Sequence, residues 1–451
     1  MNATTLEGWQ FNDSSRSSWD IVWTCLTTIF ACTWTILHQS VPARNKSQAL
    51  ITAAKLWMFA FNFLAPEAVA LLATEELCRV RSLRSRCNAV QASSDRKTHE
   101  PDSWLYSRTK PLVAAQGVDD LDLYAPHMEW SLPQCWVVQM GGLTLETEDQ
   151  WVYYVLRDQI CGFIEAGVIK CSDFTDREIQ DRAKADAFAK AFTVCQSLWV
   201  TVNIVGRAGY GLPITPFEFS TLAYVVCAIL IYALWWDKPQ DMTVPISIGV
   251  PYTRSLLPQE IRSITDASPG RWMHRRVVPP KQSVGSSVLN LGRRMQVATV
   301  DTPRKLNRSY RGFTLREETI VNTAAVIHGL IFCGIHVAAW NYAFPTHAEQ
   351  IAWRVFALTA LGMLAIYYLI AQSPLVARWL KNRGVSLPEW MSNYADPVGT
   401  FNKVEIFVPI WCFLFYIIAR FGMVALVFSS LRALPSDAYI AVDWLASIPH
   451  I

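Results

Sequence analysis

Charged residues are scarce in this chain. They make up 17% of its 451 residues, whereas soluble domains carry about 25%. The net charge of +3 supplies no strong cationic field, which argues against a nucleic-acid partner. The chain also lacks a CxxC or Cys/His ligand spacing, so its 11 cysteines indicate neither a zinc module nor a disulfide-rich miniprotein. No HExxH, GxSxG, P-loop or kinase motif is present.

Apolar residues, by contrast, reach 52% and stand in blocks of membrane length. A helix needs about 20 mostly apolar residues to cross the hydrocarbon core. The sequence therefore predicts an all-α, polytopic membrane bundle of about seven helices. An eighth would be added if the short apolar segment 130–143 crosses, but we expect that segment to be interfacial or re-entrant. The seven stretches are Trp19–His38, Thr52–Thr74, Ala187–Gly206, Pro216–Trp236, Ile320–Tyr342, Ile351–Ala371 and Lys403–Leu431.

The spans divide the chain into two transmembrane parts, 1–236 and 320–451. The first part contains a long cytosolic or interfacial loop, 75–186. Between the two parts, 237–319 is basic and rich in Pro, Ser and Gly, which predicts a poorly ordered cytosolic loop. Lys and Arg concentrate in these loops and in 372–402. With seven crossings, the positive-inside rule predicts a cytosolic N-terminus and a C-terminus outside the cell or in a lumen.

Five acidic residues near the ends of the apolar blocks have an ordinary structural explanation. Each stands three residues after a Ser, Thr or Asn that can cap a helix N-terminus, the spacing of a capping box or a close relative. Such carboxylates are predicted to cap helices and not to do chemistry. The five are Asp20, Glu218, Glu317, Glu349 and Glu405.

Four further ionisable residues lie away from the ends of the predicted spans and are the candidates for a functional site. Glu67 lies near the middle of the second span, Arg420 lies deep in the last, and His328 and His336 lie on one face of the fifth. A charged group at mid-membrane costs about 2.5–3.5 kcal/mol, so each needs a reason. One interpretation is an ion pair between Glu67 and Arg420 or a histidine that holds the bundle together. The other makes Glu67 a proton donor in a dry catalytic site, with Arg420, His328 or His336 as its partner.

Several of the 19 tryptophans lie away from the ends of the spans. Most are expected to pack in the bundle. An aromatic lining would also stabilise a carbocation through the ring quadrupoles. The candidates for this role are Trp34, Trp57 and Trp340.

Two acidic clusters could hold magnesium against a diphosphate, as in a prenyltransferase. The first is Asp119-Asp-Leu-Asp122. The second is interleaved with basic residues, and a self-neutralised helix on the membrane surface explains it as well. We predict no metal site. The second cluster consists of Asp173, Asp176, Asp181 and Asp186.

Several motifs resemble a family of fungal multi-pass membrane proteins. They run from the first predicted span to the terminal Ile448-Pro-His-Ile451. The family includes the integral membrane terpene cyclase of the macrophorin pathway. The family commonly has a histidine shortly before Met-Gly-Gly, and this chain has none in Pro133–Gln139. The other matching motifs are Trp19–His38, Asp181–Asp186, Gly211–Thr215 with Glu218, and Trp235-Trp-Asp-Lys-Pro239.

The resemblance implies a terpene cyclase of fungal meroterpenoid metabolism. Such an enzyme would protonate the terminal olefin of a linear farnesyl chain and give a drimane-type bicycle. The partners would be a lipophilic isoprenoid substrate and the lipid bilayer, without a cofactor, in the membrane of the endoplasmic reticulum. The oligomeric state stays open. A transporter or lipid-binding protein without catalysis is the alternative, and a magnesium-dependent prenyltransferase is a weaker one.

Overall fold

The computed structural model describes residues 6–11, 16–42, 47–99, 129–183, 187–267, 272–275, 314–386, 388 and 403–442. Within them the chain is mostly helical, as predicted. The helices are α1 (Ser18–Thr35), α2 (Gln48–Leu64), α3 (Pro66–His99), α4 (Leu132–Gln139), α5 (Ile160–Glu165), α6 (Asp176–Arg182), α7 (Ala187–Gly209), α8 (Pro216–Leu234), α9 (Gln259–Asp266), α10 (Leu315–Ala338), α11 (His347–Asn382) and α12 (Lys403–Ser430). The strands are β1 (Leu6–Glu7), β2 (Leu143–Thr147), β3 (Trp151–Tyr154), β4 (Ile246–Val250), β5 (Trp272–His274) and β6 (Leu434–Pro435).

Five described helices are long and apolar enough to cross a membrane. They lie in α7, α8, α10, α11 and α12 and match five of the predicted spans. Helix α1 is 18 residues long but contains five threonines, which lower its hydropathy. The predicted span Thr52–Thr74 is not one straight helix, because α2 and α3 meet at an angle of 113°.

Four of the predicted caps are confirmed by their hydrogen bonds. Capping boxes begin α1 at Ser17, α8 at Thr215, α10 at Thr314 and α11 at Thr346. In each, the hydroxyl accepts from the backbone N–H three residues later, and the carboxylate there accepts from the backbone of the cap. The fifth predicted cap begins at Asn402, which lies outside the described residues.

The loops on one side of the bundle form a small ordered unit. Its four-stranded sheet has the order β4-β2-β3-β5, with β2 and β4 parallel and the other pairs antiparallel. The expectation of a poorly ordered 237–319 is therefore wrong for its described part. The alternating apolar residues of β4 pair with β2, and Ile261 of α9 is buried beneath them. The parallel pairing joins segments about one hundred residues apart, so local periodicity does not indicate it.

The apolar segment 130–143 belongs to this unit, and its helix is too short to span a membrane. It forms α4, whose eight residues span about 12 Å against the 30 Å of the hydrocarbon core. Gly141 ends the helix with φ +72°, and a Cβ on Gly142 would stand 2.9 Å from a methyl carbon of Val41. The Met-Gly-Gly motif is thus required by a turn and by close packing on the segment after α1.

The first and last described strands lie together at one end of the bundle, because β1 pairs with β6. We call this the terminal end; Arg16 also pairs with Glu218 there. At the opposite loop end, Thr35 of α1 accepts from Gln240 and Tyr232. The predicted seven crossings and the sides of the two termini stay predictions, because five described helices meet the length and hydropathy needed to span a membrane.

Candidate functional site

The break between α2 and α3 exposes backbone carbonyls deep in the bundle. Pro66 has no N–H, and the turn leaves the last carbonyls of α2 without helical partners. Side chains of two other helices donate hydrogen bonds to these carbonyls instead. The Tyr224 hydroxyl donates to the carbonyl of Phe63 at 2.6 Å, and Arg420 Nε donates to that of Leu64 at 2.9 Å. Non-helical backbone at membrane depth needs such partners, because lipid offers none.

Arg420 is the centre of the resulting polar cluster and is only 2% exposed. One Nη donates to the Tyr224 hydroxyl at 3.0 Å, and the other lies 3.4 Å from His336 Nε2. The guanidinium also lies 4.5 Å from the centre of the Phe332 ring. The cluster therefore joins α2, α8, α10 and α12 through one side chain.

The hydrogen bonds of His336 assign its tautomer. Its Nδ1 lies 2.8 Å from the carbonyl oxygen of Phe332, which can only accept, so Nδ1 carries the proton. Nε2 then has the lone pair that faces Arg420. The backbone of His336 is held as well, because Trp353 Nε1 donates to its carbonyl at 3.2 Å. His336 thus acts as an acceptor that orients Arg420.

Glu67 is the other ionisable member of the cluster. It is 4% exposed, and the Tyr416 hydroxyl donates to its Oε1. Its Oε2 is buried and has no hydrogen-bond partner among the described residues. No salt bridge joins Glu67 to Arg420 in the described part of the chain, although their charges interact. The predicted direct ion pair is therefore not formed, and a tyrosine takes its place.

The break between α2 and α3 also gives Glu67 a position at the start of a helix. The sequence indicated no capping role for it, because the second span was taken as continuous. In the structure Glu67 lies in the first turn of α3, where the helix dipole favours negative charge. A structural role is available to it beside a chemical one.

The other predicted site residues lie elsewhere. His328 is two turns before His336 on α10; it is buried, and its Nδ1 has no hydrogen-bond partner among the described residues. Trp34 contacts Phe30, Phe59 and Lys55. Trp57 is 48% exposed, and Trp340 lies under Arg354. The aromatic rings beside Arg420 and Glu67 are instead Phe332, Tyr224 and Tyr416.

Sequence reasoning missed both tyrosines. Tyr416 precedes Arg420 by four residues, so the two share one face of α12. That spacing is a signal that could have identified Tyr416. No comparable signal exists for Tyr224, because its place beside Arg420 depends on how α8 packs against α12.

Two cavities lie near the terminal half of the bundle. A recess of about 30 Å³ reaches Tyr224, His336 and Arg420 between apolar side chains of α1, α8 and α12. Leu26 and Phe428 line it and are 38% and 44% exposed, which opens the recess to the lipid-facing surface. A second cavity, of about 270 Å³, lies between α1 and α7.

The acidic cluster near residue 173 is held by local structure. Asp173 accepts from the backbone N–H of Lys170 at 2.8 Å, and Asp176 accepts from the Ser131 hydroxyl at 2.5 Å. Asp186 and Asp119–Asp122 lie outside the described residues. Among the described ones, no group of three or more acidic, His or Cys side chains has the geometry of a metal site.

The Trp235–Pro239 motif forms a buried contact at the loop end. Lys238 is 6% exposed; its ammonium lies 2.6 Å from a carboxylate oxygen of Glu76 and 4.1 Å from the centre of the Trp235 ring. Burial lowers the pKa of Lys238, and the Glu76 carboxylate opposes that shift. This contact attaches α3 to the end of α8. Because Glu67 is also on α3, the contact helps to position Glu67 within the bundle.

Comparison with known proteins gives a family but no activity. No curated protein and no solved structure matches the chain. A family of unknown function, DUF8562, matches residues 2–257 and 316–451. Because this match covers most of the chain, the protein belongs to that family.

Proposed function

We propose that this protein is an integral membrane isoprenoid cyclase that starts its reaction by protonating an alkene, with Glu67 as the acid. The observation that carries the proposal is the unequal environment of the two Glu67 oxygens. Oε1 is held by Tyr416, while Oε2 is buried and free of hydrogen bonds to described residues. An alkene is a very weak base. The acid that protonates it must therefore carry a proton that is not hydrogen-bonded to a stronger acceptor.

The surroundings suit the charge changes of such a step. After the proton leaves, Tyr416 and the nearby Arg420 stabilise the carboxylate, as preorganised donors do at other sites of developing charge. The rings of Tyr416, Tyr224 and Phe332 offer their faces to a cation. The predicted tryptophans are not needed for this role.

The reaction balances as an isomerisation. Glu67 transfers its proton to the CH carbon of the terminal alkene of a farnesyl chain, which leaves a tertiary cation. The electron pairs of the next two alkenes then form two ring C–C bonds. The last cation loses a proton to a base, so no oxidant, reductant or leaving group is involved. The substrate enters from the bilayer through the recess beside Tyr224 and Arg420, which Glu67 does not line and which must open further to reach Glu67. The rim of the recess includes Leu26 and Phe428. These side chains must move, because ligand pockets measure about 300–1,000 Å³.

The test is conversion of a farnesylated epoxycyclohexenone by microsomes that contain the protein, in heavy water and with EDTA. We expect a bicyclic product that has gained one deuterium. Glu67→Gln should lose at least about a hundredfold in rate, within the range that general acids contribute. Glu218→Gln is the matched control, since Glu218 is also 4% exposed and caps α8. Turnover by Glu67→Gln at the normal rate would overturn the assignment.

A carrier without catalysis is the second candidate, and the helix break favours it. Discontinuous helices at membrane depth form the substrate sites of many secondary transporters. Purified protein in detergent distinguishes the two, because a cyclase converts substrate there and a carrier does not. A magnesium-dependent prenyltransferase would instead lose activity in EDTA.

We also infer a topology that replaces the predicted one. Helices α2 and α3 form a re-entrant hairpin: Lys55 contacts Asp241 and Glu76 contacts Lys238, both at the loop end, while the tip lies beside Arg420. Helices α1, α7, α8, α10, α11 and α12 then make six crossings. The basic loops place the loop end in the cytosol, and both termini lie on the other side. The endoplasmic reticulum is the proposed membrane.

A further inference from the structure

The cavity between α1 and α7 is a wedge that opens towards the terminal end. Near the loop end the helices are joined by polar contacts: Thr193 donates to Thr35 at 3.1 Å, and Cys32 lies 3.3 Å from Ser197. Beyond Thr24 the helices separate and enclose about 270 Å³. Trp199, on the rim, is 51% exposed, so the wedge is accessible from the lipid-facing surface of α7.

One wall of the wedge is apolar. Val200 and Ile204 of α7 face Cys25 of α1 across it, and all three are buried. The wall runs from the terminal end towards the middle of the bundle. It is therefore suited to an acyl or isoprenoid chain, whereas a small polar solute would leave this surface uncovered.

The terminal end of the wedge carries separated charges. Among the described residues, the Arg207 guanidinium, 1% exposed, donates to the backbone carbonyls of Pro213, Asp437, Ala438 and Ile440. Glu218 also lines the wedge and interacts electrostatically with Arg207, but no described carboxylate forms a salt bridge with Arg207. Arg16 lies beside it but is paired with Glu218. Asp20, on the α1 side, uses one oxygen to cap its helix.

We propose that this wedge binds one zwitterionic phospholipid, with its phosphate beside Arg207 and Arg16 and its ammonium beside Asp20. The wedge presents positive side chains and a negative one, so it can form charge-assisted contacts with both the phosphate and the ammonium of a zwitterionic head group. The upper part of one acyl chain lies against Val200 and Ile204. This site lies on the opposite side of α1 and α8 from the Arg420 recess, and its test does not depend on the proposed cyclase activity.

The experiment is native mass spectrometry of the full chain in detergent, with equal amounts of phosphatidylcholine, phosphatidylglycerol and diacylglycerol. We expect one retained phosphatidylcholine per chain. Soluble glycerophosphocholine should not displace it, because that probe lacks the chain that covers the apolar wall. Retention of phosphatidylglycerol or diacylglycerol in preference to phosphatidylcholine would overturn the proposal.

Two substitutions locate the site. Asn203→Phe places a ring in the wedge and should lower lipid retention about tenfold. Val205→Phe is the matched control, because Val205 is 64% exposed and lies outside the lining. Asp20→Asn keeps an acceptor for the cap but should shift retention towards phosphatidylglycerol. Equal losses in Asn203→Phe and Val205→Phe, with unchanged thermal unfolding in both, would place the lipid elsewhere.

Discussion

Arg420 has a structural role at the helix break and, in the proposed function, a chemical role beside Glu67. It satisfies a carbonyl that the helix break exposes, orients Tyr224 and lies within electrostatic reach of Glu67. The sequence identified it as an ionisable residue at membrane depth and as a possible partner of Glu67, but it did not indicate the Leu64 carbonyl or Tyr224 as acceptors. A guanidinium offers five donors in a fixed fork, so it can bind several acceptors where one carboxylate was expected.

Replacing Arg420 should therefore destabilise the fold. In Arg420→Met the Leu64 carbonyl and the Tyr224 hydroxyl lose a donor in a place without water. We expect a loss of about 3 kcal/mol or more in the free energy of unfolding. Arg420→Lys should recover only part of it, because one ammonium cannot reproduce the fork. Thermal unfolding in detergent measures the change. Arg354→Met is the control, since Arg354 is half-buried over Trp340; an equal loss there would contradict the argument.

His38 gives a prediction for pH. It lies after the end of α1, and burial lowers its pKa to about 3 from 6.5. Below pH 6.5 the unfolded chain gains a proton at His38 that the folded chain does not, so stability falls as the pH falls towards 3. The slope contributed by this residue approaches about 1.4 kcal/mol per pH unit at most. In His38→Gln the midpoint temperature of thermal unfolding should depend less on pH between pH 4 and 7 than it does in the wild type. An unchanged slope would show that His38 is protonated or exposed in the folded state.

At the scale of elements, the length of the apolar blocks identified five long helices. It did not indicate the sharp bend between α2 and α3. The composition of 52–74 is compatible with one straight span. Pro66 and the partners of the freed carbonyls make it a hairpin instead. Proline in an apolar helix is a weak signal, because neighbouring groups often restore the lost hydrogen bond without a sharp turn.

Gly422 of α12 lies close to the ring of Phe356 of α11, where a larger residue has no room. A Cβ on Gly422 would stand 2.5 Å from the ring of Phe356, whereas one on Gly362 would meet nothing within 4 Å. Gly422→Ala should therefore destabilise by about 1–3 kcal/mol through overpacking. Gly362→Ala should be neutral or stabilising by about 0.5–1 kcal/mol, because it removes backbone freedom from the unfolded chain. Unfolding of the two purified variants compares them directly, and the reverse order would refute the packing argument.

At the scale of the whole molecule, the pairing of β1 with β6 puts these two segments at the same end of the bundle, and the proposed topology places that end opposite the cytosolic loops. Two epitope tags test this in sealed microsomes: one before Met1 and one after Leu256, which is 73% exposed. We expect externally added protease to remove the tag after Leu256 and to spare the N-terminal tag until detergent is added. Digestion of the N-terminal tag in sealed vesicles would restore the cytosolic N-terminus that the sequence predicted.

The sequence alone indicated a membrane protein. It also located five long apolar helices and identified the caps that begin four of the described helices. These are local properties: about 20 apolar residues, or a serine and a carboxylate three apart, act within a helix or its first turn. It also identified Glu67, Arg420 and His336 as residues whose burial needs a reason. Only the tertiary structure decided that Tyr416 hydrogen-bonds Glu67, that β2 pairs with β4, and that β1 pairs with β6. Each of these is a contact between segments distant in the chain, and no period or spacing along one segment encodes it.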